Sequence, residues 1–508
     1  STVWFDLNTT VATNLNGVFE VTLDIGTLTD GTVCNLSDPK IINLISAMRY
    51  SYIRVGGTEA DFTHYALNDT SRHFPMPAPP KPFTRTLSGG MWDWFMTFAQ
   101  TVGAKVLFGL NAGPPVRTPE GAWTSEMAAQ MVAHNAEKFP GVMGGYEFGN
   151  EPDLYPLNFP GVFPNGTQWA RDMQLVRTLL NLYDPGLLTV CCDVMYTPLL
   201  GSLLPIEKEF VAAGGLEWTN ITTWHYYPLF GKPMDRFLPQ WIDPYFATPE
   251  RLAMPLTLNE AHKWATHASD DAGPTAQVWL GETASASFGG QVNVSDSWVD
   301  SMAAVDKAGL ITRLGQQRAF RQEICADHWT SANQTTTNSA PYTLLDRDHN
   351  PRPTFYVMWL FRQLVGDRAF ASQSSPEYAG VRAYAYAARA GVHATPAGAS
   401  GRSVVFTFVN PDNNTRSDLN MCFHTGSTQP ASGSVAAVYA VGACNGELTG
   451  KSVCINGAEM TADSEGHLAP LPAPTGMPLL QQPGSGCFAL PVSAVMAPHS
   501  VWFLVVDL

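Results

Sequence analysis

Eight short apolar runs, each followed by a stretch with helical periodicity, set the tightest limit on what this chain can fold into. They span 19–25 (FEVTLDI), 51–57 (SYIRVGG), 104–111 (AKVLFGLN), 144–150 (GGYEFGN), 187–194 (LLTVCCDV), 221–227 (ITTWHYY), 278–282 (VWLGE) and 323–329 (EICADHW). Runs this continuously apolar suit strands covered on both faces, and amphipathic connections such as DPKIINLISAMR and GTQWARDMQLVRTLLNLY supply the cover. Eight repeats predict an α/β fold, a (β/α)8 barrel over 15–366. Beyond it the texture changes to Gly, Ala, Ser and Val with alternating runs such as SVVFTFVN and HSVWFLVVDL. That pattern predicts an appended antiparallel β-sandwich of 367–508, completed by a strand from 1–14.

The fourth run ends on Asn150-Glu151-Pro152 and the seventh on Glu282. A proline cannot donate to a sheet ladder, so Pro152 is expected to stop its strand and leave Glu151 free at the mouth. Barrel enzymes place their chemistry at the C-terminal strand ends. Two glutamates converging there are the equipment for glycoside hydrolysis, one protonated to serve the leaving oxygen and one ionised to attack.

Other classes of function are poorly served. Net charge is −15 and no polybasic run exists, which argues against nucleic acid and anionic membranes as partners. The apolar end VWFLVVDL is too short for a membrane span. No cysteine pair has metal-ligand spacing, so neither a metal nor another cofactor is expected, and disulfides are expected among Cys422, Cys444, Cys454 and Cys487. Sequons at Asn8, Asn35, Asn68, Asn165, Asn220, Asn293, Asn333 and Asn413 in a chain with only 14% charged residues suggest an N-glycosylated protein, secreted or vacuolar/lysosomal. A monomer is expected.

The motifs GNEPD and VWLGET, with YIRVGGTEADF, VLFGLNA, DKAGL and PRPTFYVMWLFRQLVG, resemble the heparanase and β-glucuronidase group, glycoside hydrolase family 79. The resemblance runs over most of the chain and implies the same barrel with a sandwich made by both termini. It implies a retaining mechanism with Glu151 as acid/base and Glu282 as nucleophile. Asn150 is implied to bind the sugar 2-hydroxyl, and Tyr227 to donate to the nucleophile, with Tyr226 as the fallback and His225 in support. Asp24, Thr58 and Asn111, at the ends of strands one to three, match sugar-contacting or supporting positions. The substrate would be a carbohydrate containing glucuronate, its carboxylate met by Tyr342 and by the turn at Phe288, Gly289 and Gly290. Phe288 replaces a usual glycine there, and Asp327-His328 replace a frequent Arg-Gln pair, which makes His328 a further candidate donor.

Endo and exo action both fit the sequence. Few basic residues are placed to flank a cleft, the nearest being Lys81 and Arg85, which disfavours a highly sulfated polymer. A reading of another class is a carbohydrate-binding or cell-surface protein of weak activity, against which stand both retained glutamates.

Overall fold

The computed structural model describes residues 2–508 except 32–33, 73–77, 199–200, 232–239, 327–339, 376–379, 395–401, 416–418, 432 and 492–493. Eight strands close into a barrel, all neighbours parallel: Phe19–Asp24, Tyr52–Gly56, Lys105–Leu110, Met143–Phe148, Leu188–Tyr196, Ile221–Tyr226, Gln277–Thr283 and Ala319–Arg321. They are numbered one to eight in that order below.

Two expectations need correction. The eighth strand is Ala319–Arg321 rather than 323–329. It is short, held by ladders to strands one and seven, and too brief to leave an apolar signature. Ile324 and Cys325 are buried, but beyond the strand. The fourth strand stops at Phe148, before the proline. Gly149 ends it with φ +75°, where a Cβ would lie 3.0 Å from Ala112 and from the Trp169 ring. Pro152 instead opens the 3-10 turn Pro152–Leu154.

The covering helices carry their signals in the sequence. Ser88 caps Gly89–Val102 by accepting from the Met91 N–H at 3.2 Å, and Gly103 ends it at φ +75°. Met91, Trp92, Phe95, Met96 and Ala99 form its buried face. Each large side chain so covered contributes roughly 1.5–3 kcal/mol. Pro39–Met48 and Gly166–Asn181 are capped in the same way by Asp38 and Asn165.

The second unit is a twelve-stranded sheet around its own core of Val3, Phe5, Val404, Phe406, Phe408, Met421 and Leu504. The strand Thr2–Thr13 belongs to it, antiparallel to Val365–Ser375 and parallel to Asn420–Phe423, so the sheet is mixed. Alternate residues of Ser403–Asn410, Val405 and Val409, face the barrel side. There Arg382 and Tyr384 both reach Asp306 of the helix Trp298–Arg313, at 2.6 and 2.8 Å. Disulfides join Cys422 to Cys487 and Cys444 to Cys454, as expected for this region. Cys34–Cys325 links the segments that follow strands one and eight, and Cys191–Cys192 joins neighbours on strand five. Among the described residues no helix is long and apolar enough to cross a membrane.

Candidate active site

The C-terminal ends of strands two, four, five, six and seven deliver ionisable side chains to one buried cluster. Glu151 follows strand four in a left-handed conformation, φ +47°, with its N–H bonded to the Asp193 carbonyl at 3.0 Å. Glu282 lies within strand seven. One oxygen from each glutamate and one nitrogen of His225 all lie within 4.8 Å of one another.

The two glutamates have different surroundings. Tyr227 donates to Glu282 Oε1 at 2.5 Å, and Arg54 reaches Oε2 at 2.9 Å. Two donors on one carboxylate hold it in a fixed orientation. Glu151 has His225 Nδ1 at 3.0 Å. Burial raises its pKa, His225 works against that rise, and the negative charges of Glu282 and Asp193 add to it. The arrangement can therefore hold Glu151 as an acid beside a Glu282 of fixed orientation.

Arg54 and Asp193 tie these groups together. Arg54 bonds Glu147 at 2.6 Å, Asp193 at 2.8 Å and the Asn150 carbonyl oxygen at 2.9 Å. Burial opposes its charge, but Glu147, Asp193 and Glu282 more than restore it. Asp193 also faces His225 Nε2 at 3.1 Å. Despite burial, Arg54 and His225 hold the Asp193 carboxyl well below the usual range, and Asp193 with Glu282 raises the His225 pKa. Glu151, His225 and Glu282 lie close enough to ligate an ion, but Arg54 and His225 already pair with the carboxyls of this cluster.

Sequence reasoning passed over Arg54 and Asp193. The available signal was an ionisable residue inside an otherwise apolar strand, costly to bury unless paired. Glu147 is such a partner, buried on strand four beneath Arg54. Sequence reasoning also expected His225 to support the site, and His225 contacts Glu151 directly. Tyr227 rather than Tyr226 reaches Glu282. Tyr226 points the other way, toward Trp224 and Lys307, as alternation along a strand requires.

Asn150 turns its carbonyl oxygen to Arg54 and to the Gly57 N–H, which leaves its NH2 as the opposite, donating end. Asp24 caps the helix Ile25–Asp30 through Gly26 at 2.7 Å and accepts from Gln322 at 3.3 Å. Burial, then Glu59, Glu323 and Glu282, raises its pKa well above the usual range. Its Oδ2 would meet a Cβ at Gly57 at 2.0 Å, so a side chain there is excluded. Thr58 opens the adjoining 3-10 turn Thr58–Phe62. Asn111 is bound into the loops, donating to the Thr63 carbonyl and accepting from the Gly113 N–H.

Tyr342 packs with Tyr227, Met195, Ala284 and Leu154. Its phenol is pushed well up by burial and then by Glu323, Asp24 and Glu282. Arg321 holds its carbonyl at 2.6 and 3.1 Å, and its N–H donates to Gly289. Gly289 and Gly290 have φ of +83° and +86°, and a Cβ on Gly290 would lie 2.8 Å from the Tyr342 nitrogen. Phe288, φ +56°, stacks toward Phe230 with ring centres 6.2 Å apart. Asp327 and His328 lie outside the described residues.

Residues 28–309 match the glycosyl hydrolase family 79 N-terminal domain. Bovine heparanase is 29% identical over 313 residues, 60% of this chain and 51% of that protein, so the match spans about half the relative's length. Heparanase-like protein 3 of Arabidopsis thaliana is 25% identical over 484 residues, 87% of this chain and 81% of the relative. Among solved structures, a 4-O-α-L-rhamnosyl-β-D-glucuronidase from Fusarium oxysporum in its Rha-GlcA complex superimposes with a TM-score of 0.66 over 99% of this chain and all of its own, at 13% identity, a likeness of fold alone. With this match extending over more than half of the sequence, the chain belongs to glycosyl hydrolase family 79.

Proposed function

We propose that this protein is a retaining β-glucuronidase. The observation that carries the proposal is the close approach of Glu151 and Glu282, one oxygen of each lying within 4.8 Å of the other, with His225 on Glu151 and with Tyr227 and Arg54 on Glu282. Retaining glycosidases hold their carboxyl groups roughly 5–5.5 Å apart, whereas inverting ones leave about 6.5–9.5 Å for a water. Glu282 attacks the anomeric carbon while Glu151 gives its proton to the departing oxygen. Glu151 then takes a proton from the water that breaks the glycosyl-enzyme bond. The Asn150 NH2 meets the 2-hydroxyl, and Asp24 and Thr58 line the sugar side. Tyr342 and the turn at Phe288, Gly289 and Gly290 receive the uronate.

Exo action on a glucuronide of low charge fits better than cleavage inside a sulfated polymer. Arg85 near the mouth is committed to Glu59 at 3.6 Å, Arg117 to Asp172 at 2.8 Å, and the chain is net acidic. A secreted or lysosomal, N-glycosylated protein is supported by four disulfides and by exposure of all seven described sequon asparagines.

The test is incubation with an aryl β-glucuronide and with a panel of uronate polymers. The proposal expects aryl release, a β-anomer as the first sugar detected by NMR, and no rapid polymer shortening. An α-anomer would refute retention, rapid shortening would refute exo action, and silence on every substrate would leave a carbohydrate-binding protein.

A further inference from the structure

Strand five contains a one-residue bulge at the point where it supplies Asp193. Cys191 pairs with Thr222 of strand six, but the next pair is Val194 with Trp224, so Cys192 and Asp193 together oppose the single residue Thr223. Paired residues on parallel strands share a face. Val190 and Ile221 point into the barrel with Leu107, Trp279 and Phe320. Cys191, Cys192, Val194 and Trp224 belong to the core between barrel and helices. Without the extra residue, Asp193 would pair with Trp224 and face the helices. With it, Asp193 turns inward at φ +53°, its N–H on Thr223 Oγ1 at 3.2 Å and its carboxylate on Arg54 and His225. A slip of one residue moves every following side chain to the other face, and a bulge is a recognised way of re-aiming one.

The Cys191–Cys192 disulfide occupies this bulge. In a regular strand successive Cβ atoms point to opposite faces, so neighbouring sulfurs cannot meet. The bond therefore requires the bulged backbone and excludes the regular one. We propose that Cys191 and Cys192 are positioning residues, whose bond locks the bulge and thereby aims Asp193 at Arg54 and His225. Asp193 acts on both glutamates. Its carbonyl takes the Glu151 N–H, while its carboxylate steadies the His225 that contacts Glu151 and the Arg54 that contacts Glu282. The charged groups gathered around it are Arg54 from strand two, Glu147 and Glu151 from strand four and its end, His225 from strand six and Glu282 from strand seven.

This inference rests on the glycosidase reading, and the two fail differently. A protein inert on every glycoside removes both, whereas an active protein indifferent to the bond removes this one alone. Non-reducing peptide mapping of the wild-type protein should show Cys191 joined to Cys192; free thiols at these positions would overturn the proposal. The double variant C191A/C192A should keep KM within about twofold and lose kcat on a poor leaving group on the order of 100-fold, the scale of a misplaced catalytic group. Its pH–rate profile should gain a limb near about 6.5, because His225 no longer has the carboxylate that keeps it charged. Either single variant should lose as much as the double, since each breaks the same bond. Wild-type kcat and pH profile, or a fall in thermal stability with kcat intact, would overturn the proposal. Cys191→Val breaks the same bond while preserving core volume, and is read in the same way if the alanine pair does not fold. Failure of both to fold would assign the bond to stability alone and overturn the proposal.

Discussion

Tyr227 donates its phenol proton to Glu282 Oε1 across 2.5 Å, and burial together with the Glu282 charge raises the phenol pKa so that the proton stays on it. A hydrogen bond to a charged acceptor contributes about 1.5–3 kcal/mol. Tyr227→Phe is therefore expected to lower kcat/KM on an aryl β-glucuronide by about 10–100-fold. Differential scanning calorimetry should find Tm almost unchanged, because the ring keeps its packing. Unchanged kinetics would show that Tyr227 does not assist the nucleophile.

The two glutamates should separate by leaving group. Glu282→Gln is expected to abolish hydrolysis of every substrate. Glu151→Gln should still be glycosylated by substrates whose leaving group needs no proton, and should then accumulate a covalent intermediate visible by intact-mass spectrometry. Equal losses on good and poor leaving groups, with no trapped intermediate, would contradict the assigned roles.

Several buried carboxyls titrate high, which fixes the sign of the pH dependence of stability. Burial raises Asp61 to about 6, Asp153 to about 7 and Glu323 to about 8, and raises Glu207 well above its usual value. The folded protein thus keeps protons that the unfolded chain releases near about 4. Their contribution is fully present below that pH and is lost as pH rises through the folded values. Tm should be higher at pH 5 than at pH 8. Glu207 is 3% exposed and neither carboxyl oxygen has a hydrogen-bond partner. Glu207→Gln should therefore raise Tm at pH 8 and leave pH 5 nearly unaffected. A Tm that is flat or rising toward pH 8 would refute this account.

The uronate pocket can be tested at two places. Tyr342→Phe should reduce kcat/KM for an aryl β-glucuronide far more than for the matching β-glucoside, because a site built for a charged group loses most when its polar partner is removed. Gly290→Ala forces a Cβ to 2.8 Å from the Tyr342 nitrogen at φ +86°. It should cost on the order of 1–3 kcal/mol of stability and raise KM for the glucuronide. Equal losses on both sugars for Tyr342→Phe would show that this residue does not select the uronate.

Seven barrel strands could be read from the sequence because each is an apolar run long enough to register. The eighth could not, since Ala319–Arg321 is defined by its neighbours' hydrogen bonds while the nearby Ile324-Cys325-Ala326 supplies the apolar decoy. Glu151 and Glu282 were legible because a carboxylate at a strand end is conspicuous. Arg54 and Asp193 were hidden within strands, and the inward turn of Asp193 depends on a bulge that no residue pattern announces. The partners of Asn111, Thr63 and Gly113, arise from loop geometry and likewise left no trace in the spacing.

The route of the chain between its two units gives the molecule a neck. Where the polypeptide leaves the sandwich for the barrel and where it returns, Ala12 lies beside Ala369 and Thr13 beside Arg368 in one antiparallel ladder. The whole barrel is thus an insertion whose ends are clasped together. A single cut at the exposed Pro119-Glu120 loop would leave the leading fragment anchored through Thr2–Thr13 and the trailing fragment anchored through the rest of the same sheet. The nicked protein should stay one particle under native conditions and part only on denaturation with reduction, because the shared sheet and the Cys34–Cys325 disulfide both join the halves.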